Sequence, residues 1–520
     1  MLFWCAVSWT AVFLAGLWRA GFGRSRGWAA LCLAILAMAG ARFLVPSSEA
    51  TRPIEWIIIA AWASLLLTPV LLTHVANRLV LAQRYLAAGH FARLIRLLHP
   101  FDGWWIVPGV MDALALSQHG APDAAAAALD RLLRDGRLPA RQRAIVRAHI
   151  PPLTGTWEAF LATDDANNPA VAGMRIRALG ETGRLAELVA AYRAIRSRGG
   201  VGYQMSRLTL FVFCGRPGAV AALLRGPLAM LDQQLKDLWL ATARWAAGEP
   251  EAAAALAEFA GSADLPIRRS AERRLHVAPP QPQPSEKLSA ADWATIAEAE
   301  AELARDAGYI RRPYQELRGA YVVIGCVLLN LAAFAGELAA GGSENLQTLY
   351  RLGALWPPAI VQGGEWWRLV TACFLHFGPV HLLFNMLALM LLGPWVEWAM
   401  GHWRTLLVYI GSAIGSMALV LLLIEQRVIG NQLAVGASGA IMGLVGAQAV
   451  LFGRGWNTMR SRLARGRLAG VVVIVVFQAA FDLSTPQVSF TAHASGFLIG
   501  VLLTVLVTRT RSREISPVPV

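Results

Sequence analysis

Nine runs of apolar residues, each near the ~20 residues that a helix needs to cross a bilayer, punctuate this chain at about 2–18, 28–45, 54–76, 319–336, 370–396, 404–424, 436–453, 468–483 and 490–508. One ordinary water-soluble core cannot absorb them. The 520 residues are 56% hydrophobic with a mean hydropathy of +0.48, too apolar for a soluble globule. The expectation is an all-α, polytopic membrane protein embedded in a lipid bilayer.

The formal net charge of +14 could point to nucleic acid. The basic residues, however, lie beside the apolar runs and in a central polar region, where they act as topology signals. No nucleic-acid partner is expected. Arg19, Arg24 and Arg26 follow the first run; Arg311, Arg312 and Arg318 precede the fourth; Arg454, Arg460, Arg462, Arg465 and Arg467 separate the seventh from the eighth; Arg509, Arg511 and Arg513 follow the last. If every run spans, all these clusters fall on one side. The positive-inside rule then puts the chain start outside, residue 78 onward and the C-terminus in the cytoplasm, and the 337–369 loop outside. The first run lacks a basic leader and a cleavage site, so it reads as a retained span. The alanine- and arginine-rich composition suggests a bacterial inner membrane. Cys5, Cys32, Cys214, Cys326 and Cys373 form no C-x-x-C pair, and four lie in apolar runs, which argues against a disulfide framework or a metal site.

Residues 78–277 have no membrane-length run. "RYLAAGHFARLIRLL", "LSQHGAPDAAAAALDRLL", "LGETGRLAELVAAY", "FVFCGRPGAVAALL" and "RWAAGEPEAAAALAEF" each read as a helix end, a turn glycine and an amphipathic helix. The glycines are Gly89, Gly120, Gly183, Gly215 and Gly248, with Gly155 in the one double interval. Helix pairs at a period in the low thirties resemble tetratricopeptide repeats, although the full repeat consensus is not met. The expected organisation is three N-terminal spans over 1–77, a cytoplasmic repeat domain over 78–277, a linker and charged helix over 278–317, a six-span core over 318–510 and a tail over 511–520.

Polar side chains inside a membrane segment are costly and mark function by default. His376, His381 and Asn385 lie near the outer end of one inward-running segment, and Ser438 and His493 at the starts of two others. His381 and Asn385, four apart, share a helix face. A serine beside a histidine can act as nucleophile and general base, with His381 and Asn385 as donors to an oxyanion. Gly439 and Gly443 on one helix and Gly496 and Gly500 on another form two G-x-x-x-G patterns that permit the close approach this needs. Gly436 leaves backbone N–H groups open at a helix start. Singly, such a serine is usually a packing residue and a lone membrane histidine often only ties helices together. Jointly, five coincidences of spacing and depth would be required. His376, five residues before His381, suits a structural hydrogen bond, and His402 a solvated position. A soluble hydrolase elbow, G-x-S-x-G, is excluded because residue 440 is alanine.

Over its last ~200 residues, a six-span length, the sequence resembles the rhomboid intramembrane serine proteases. The G-x-S-G serine of that family matches Ser438, and the histidine of its A-H-x-x-G-x-x-x-G segment matches His493. Its H-x-x-x-x-H-x-x-x-N pattern matches His376, His381 and Asn385. Its W-R pair matches Trp367 and Arg368, and its G-x-x-x-E-x-x-x-G matches Gly393, Glu397 and Gly401. The resemblance implies a Ser-His dyad, an oxyanion site at His381 and Asn385, a transmembrane protein as substrate, and no metal or cofactor. Asp482, at a loop edge, stands outside that dyad. Met442 takes the place of an aromatic residue that usually packs on the histidine. The alternative is a catalytically silent membrane scaffold working through its repeats. Pseudoproteases of the family usually lack the serine or the histidine, and this chain keeps both. Under either reading the repeats are a surface for a cytoplasmic protein partner.

Overall fold

The computed structural model of the protein describes residues 25–42, 52–136, 138–195, 200–262, 264–276, 288–309, 313–430, 433–484 and 490–508, with scattered positions in the first 17. The first apolar run falls largely outside these residues, as does the Pro-rich stretch 278–287. The described residues are helical, with a single isolated bridge between Leu355 and Ala434 and no strand. They form two compact units, one over 9–304 and the other over 305–519.

In the first unit, Pro53–Leu81 is one 29-residue apolar helix, long enough to span a membrane, with a π-helical stretch at Ala63–Leu67. Before it, Arg26–Arg42 is a shorter helix of 17 residues. Helix hairpins follow: Val107–Gln118 with Pro122–Leu133, Ala172–Glu181 with Leu185–Ile195, Gly200–Phe213 with Pro217–Arg225, and Gln233–Ala246 with Ala252–Ala260. Their turns carry Gly120, Gly183, Gly215 and Gly248 at φ between +65° and +81°. Only glycine adopts that backbone without cost, which is why the spacing of these glycines was visible in the sequence.

Gly89 is different. It lies inside helix Tyr85–Leu98, against Met111 and Asp112, and the turn before that helix is made by Gln83 at φ +56°. The charged helix Ala290–Asp306 buries Ile296, Ala299 and Leu303 in the same core as the hairpins between residues 176 and 239. Arg216 holds Glu300 through two bonds of 2.6 and 2.7 Å.

In the second unit the six core helices are α1 (Tyr321–Ala339), α2 (Pro379–Met400), α3 (His402–Glu425), α4 (Ser438–Met459), α5 (Arg462–Ser484) and α6 (Phe490–Val507). The run expected over 370–396 divides: Arg368–Thr371 is a separate short helix, and α2 begins only at Pro379, after Gly378 at φ +83°. The residue before a proline avoids the helical region, so the chain breaks there. Among the described residues six helices are long and apolar enough to cross a membrane: Pro53–Leu81 and all of the core except α4. Helix α4 is rich in glycine, is buried along most of its length and packs against α2, α3, α5 and α6. A helix enclosed by its neighbours has no need of a lipid-facing apolar surface.

Candidate active site

The contact between α4 and α6 is built from glycine on glycine. A Cβ on Gly496 would strike the Gly439 carbonyl oxygen, and one on Gly500 the Gly443 carbonyl oxygen. On the α3 side, a Cβ on Gly439 would meet Ser416 and one on Gly443 would meet Ser412. Only helices without side chains along this seam can approach so closely. The seam fixes the first residue of α4, half-buried Ser438, in the same layer as His493, three residues before Gly496 and 7% exposed. Among the described residues Ser438 makes no hydrogen bond to His493. A nucleophile–base bond that forms only once substrate is seated would behave in this way.

On the other side of the serine stands α2. Gly436 has φ +130°, and a Cβ there would lie 2.9 Å from His381 Cε1 and 3.7 Å from Ser438 Oγ. Glycine at 436 therefore lets the His381 ring lie over the chain just before the serine. The N–H of Gly436 itself donates to the Ala372 carbonyl at 2.9 Å. The open donors at this helix start are those of the first turn of α4, which has no acceptor within its own helix. Asn385, one turn along α2 from His381, is 7% exposed, and its amide nitrogen has no hydrogen-bond partner. A buried amide left unpaired costs ~1–3 kcal/mol, which invites a ligand oxygen.

His376 lies before α2, not on it. Its N–H donates to Glu337 Oε1 at 2.9 Å, its Nδ1 lies 3.0 Å from the Phe374 carbonyl, and its ring meets that of His381 edge-on at 5.2 Å. Trp367 and Arg368 organise the segment between α1 and α2. The guanidinium of Arg368, 3% exposed, donates to the carbonyls of Tyr350 (2.6 Å) and Ala354 (3.0 Å) and lies over the Tyr350 and Trp367 rings. Glu397 caps the start of α1, accepting from the N–H groups of Val322 (2.8 Å) and Val323 (2.9 Å), and its Oε1 also meets His402 Nδ1 at 2.6 Å. These three therefore build the scaffold and stand apart from the serine. Among the described residues no cluster of three potential metal ligands occurs.

Sequence reasoning sets aside one side chain that the structure brings to His493, and does not reach a second. Asp482 lies in α5 with its side chain only 1% exposed, and its Oδ2 is 2.8 Å from His493 Nδ1. Gln478, one turn earlier, donates to the other oxygen of Asp482 at 2.7 Å. The available signal was the i, i+4 pair of polar residues in the apolar second half of α5.

Residues 363–510 match the rhomboid domain. The chain is 37% identical over 161 residues to the rhomboid protease GluP of Bacillus subtilis (strain 168), a match covering 31% of this chain and 29% of that one. With the mitochondrial RHOMBOID-like protein 6 of Arabidopsis thaliana it shares 36% over 156 residues, 30% of this chain and 48% of the other. With the rhomboid YdcA of Bacillus subtilis (strain 168) it shares 32% over 161 residues, 30% of this chain and 73% of the other. The chain belongs to the rhomboid family. It is a rhomboid of the multi-pass membrane type, and the serine, both α2 residues, His493 and the seam glycines all lie within the matched rhomboid domain. It nonetheless spans about half or less of the length of the Arabidopsis protein and GluP.

Proposed function

We propose that this rhomboid is an intramembrane serine endopeptidase that hydrolyses peptide bonds in or near the transmembrane segments of other membrane proteins. The observation that carries this reading is the glycine-on-glycine seam of α4 and α6, which brings Ser438 and His493 into one layer beside His381 and Asn385. In the proposed step, His493 takes the proton of Ser438 as the hydroxyl oxygen attacks the substrate carbonyl. The Asn385 amide, His381 and the first-turn N–H groups of α4 then receive the oxyanion. His493 returns the proton to the departing amine, and water resolves the acyl-enzyme by the reverse path. No metal or cofactor enters this scheme.

We further propose an inner-membrane orientation with the N-terminus outside and residues 78–277 and the C-terminus in the cytoplasm, as the arginine clusters favour. The helix hairpins would dock a cytoplasmic partner, in the manner of tetratricopeptide repeats.

The test is covalent labelling of the purified full-length protein in detergent by a fluorophosphonate. Labelling is expected in the wild type, lost in Ser438→Ala and in His493→Ala, and retained when residues 84–275 are deleted. A folded wild type that takes no label, even from the smallest fluorophosphonates, would shift the weight to a scaffold acting through its hairpins.

A further inference from the structure

A histidine can accept a proton from Ser438 only if the nitrogen facing the serine is unprotonated. In a neutral imidazole the proton must then sit on the other nitrogen, and something must keep it there. His493 has its Nδ1 2.8 Å from Asp482 Oδ2 and 3.1 Å from Gln478 Nε2. These two neighbours make opposite demands. The carboxylate accepts, and so holds the proton on Nδ1; the amide donates, and would leave Nδ1 bare with the proton on Nε2. The carboxylate prevails because a hydrogen bond to a charged acceptor is roughly twice as strong as one from a neutral amide, and the Gln478 amide also donates to Asp482 Oδ1 at 2.7 Å.

We propose that Asp482, braced by Gln478, is a positioning residue that fixes the tautomer and orientation of His493 and stabilises its charged form as the proton is taken from Ser438. This rests on the protease reading above. The burial of the pair supports it, since a carboxylate with 1% side-chain exposure is retained in such a place only with a bonded partner. Gln478 and Asp482 lie on the same face of α5, one turn apart, so a single helix presents both the carboxylate and its brace. Among the described residues, the other histidine beside the serine is His381 of α2, whose ring lies over Gly436. Helices α3 and α4 meet α6 through Gly411, Gly415, Gly439 and Gly443, which do not titrate.

Without the carboxylate, Gln478 is released to donate to Nδ1 and select the wrong tautomer. Asp482→Asn is therefore expected to lower the fluorophosphonate labelling rate of the full-length protein by ~10²-fold or more, as loss of a triad carboxylate does elsewhere. Asp482→Glu should restore part of the rate. Labelling of Asp482→Asn at the wild-type rate would overturn the proposal.

A second readout does not depend on catalysis. In protein labelled with ¹⁵N-histidine, with His493 assigned by comparison with His493→Ala, the wild type should carry the proton on Nδ1 and Asp482→Asn should carry it on Nε2. If the wild type takes no fluorophosphonate, the protease reading fails while this measurement still decides the clamp. An unchanged tautomer in Asp482→Asn would overturn it.

Discussion

At the scale of single residues, the site sets stability against chemistry. Asn385 is the clearest case: a buried amide with no partner, held one helical turn from His381. Removing an unsatisfied buried donor is neutral or favourable for folding, whereas removing an oxyanion donor costs roughly 10²–10³ in rate. Asn385→Ala is thus expected to lower cleavage of a model transmembrane substrate by about that factor while leaving the melting temperature unchanged or slightly raised. A large fall in melting temperature would mean instead that the amide serves the fold. Ser438, His493, His381 and Asn385 stand out in the sequence because each is a polar residue in an apolar run, and such residues need a reason to be there. Asp482 carried the same signal. Its meaning was hidden because its partner lies across the α5–α6 connection, and no local spacing encodes which side chains that packing brings together. Gly436 was legible as a special backbone position at the start of α4, but the room it leaves for the His381 ring was not, because that ring comes from another helix.

At the scale of elements, the helices were readable and their ends less so. Hydropathy located all six core segments, yet it joined Arg368–Thr371 to α2 because it cannot see the break at Gly378–Pro379. The G-x-x-x-G patterns proved more informative than apolar content. They identified which faces of α4 and α6 meet, even though α4 alone is not apolar enough to be recognised as a span. Gly500 lies two helical turns beyond His493 along α6, and any Cβ on it runs into the Gly443 carbonyl, a backbone atom that cannot step aside as a side-chain tip can. Gly500→Val should force α4 and α6 apart, destabilising the protein by ~1–3 kcal/mol through overpacking. Labelling of Ser438 should fall with it although no reacting group has changed. Unaltered melting and labelling would show that the seam does not set the serine–histidine geometry. In the first unit the same kind of reading succeeded at Gly120, Gly183, Gly215 and Gly248 and failed at Gly89. A glycine inside a helix and a glycine in a turn look alike in sequence, and Gln83 shows that a non-glycine residue can make the turn.

At the scale of the whole molecule, an oily membrane core is joined to a unit whose interior holds charge. Glu181, at the end of helix Ala172–Glu181, has a side chain 2% exposed. It accepts from Arg274 at 3.2 Å, with Arg177 at 3.6 Å and Arg273 at 3.5 Å. Burial by itself would push this carboxyl up, but the guanidiniums of Arg274, Arg177 and Arg273 together outweigh it and hold it below the ordinary glutamate range. A group whose folded-state value is depressed stabilises the fold at every pH above its unfolded value, ~4.3, and that contribution disappears as pH falls through the lower folded value. Helix Leu265–His276, which carries Arg273 and Arg274, is tied by this one carboxylate to the hairpin bearing Arg177. Glu181→Gln should therefore destabilise the unit at neutral pH by about 3–5 kcal/mol, the usual cost of breaking a buried pair from one side, because three guanidiniums remain with no carboxylate. The difference between variant and wild type should shrink as the pH falls below the unfolded value of ~4.3, where the unfolded wild-type chain takes up a proton that the folded carboxylate resists. Thermal unfolding of the full-length protein followed by far-ultraviolet circular dichroism at a series of pH values measures both. A variant penalty that stayed constant across that range would mean that the charge of Glu181 does not hold the hairpins to the closing helix.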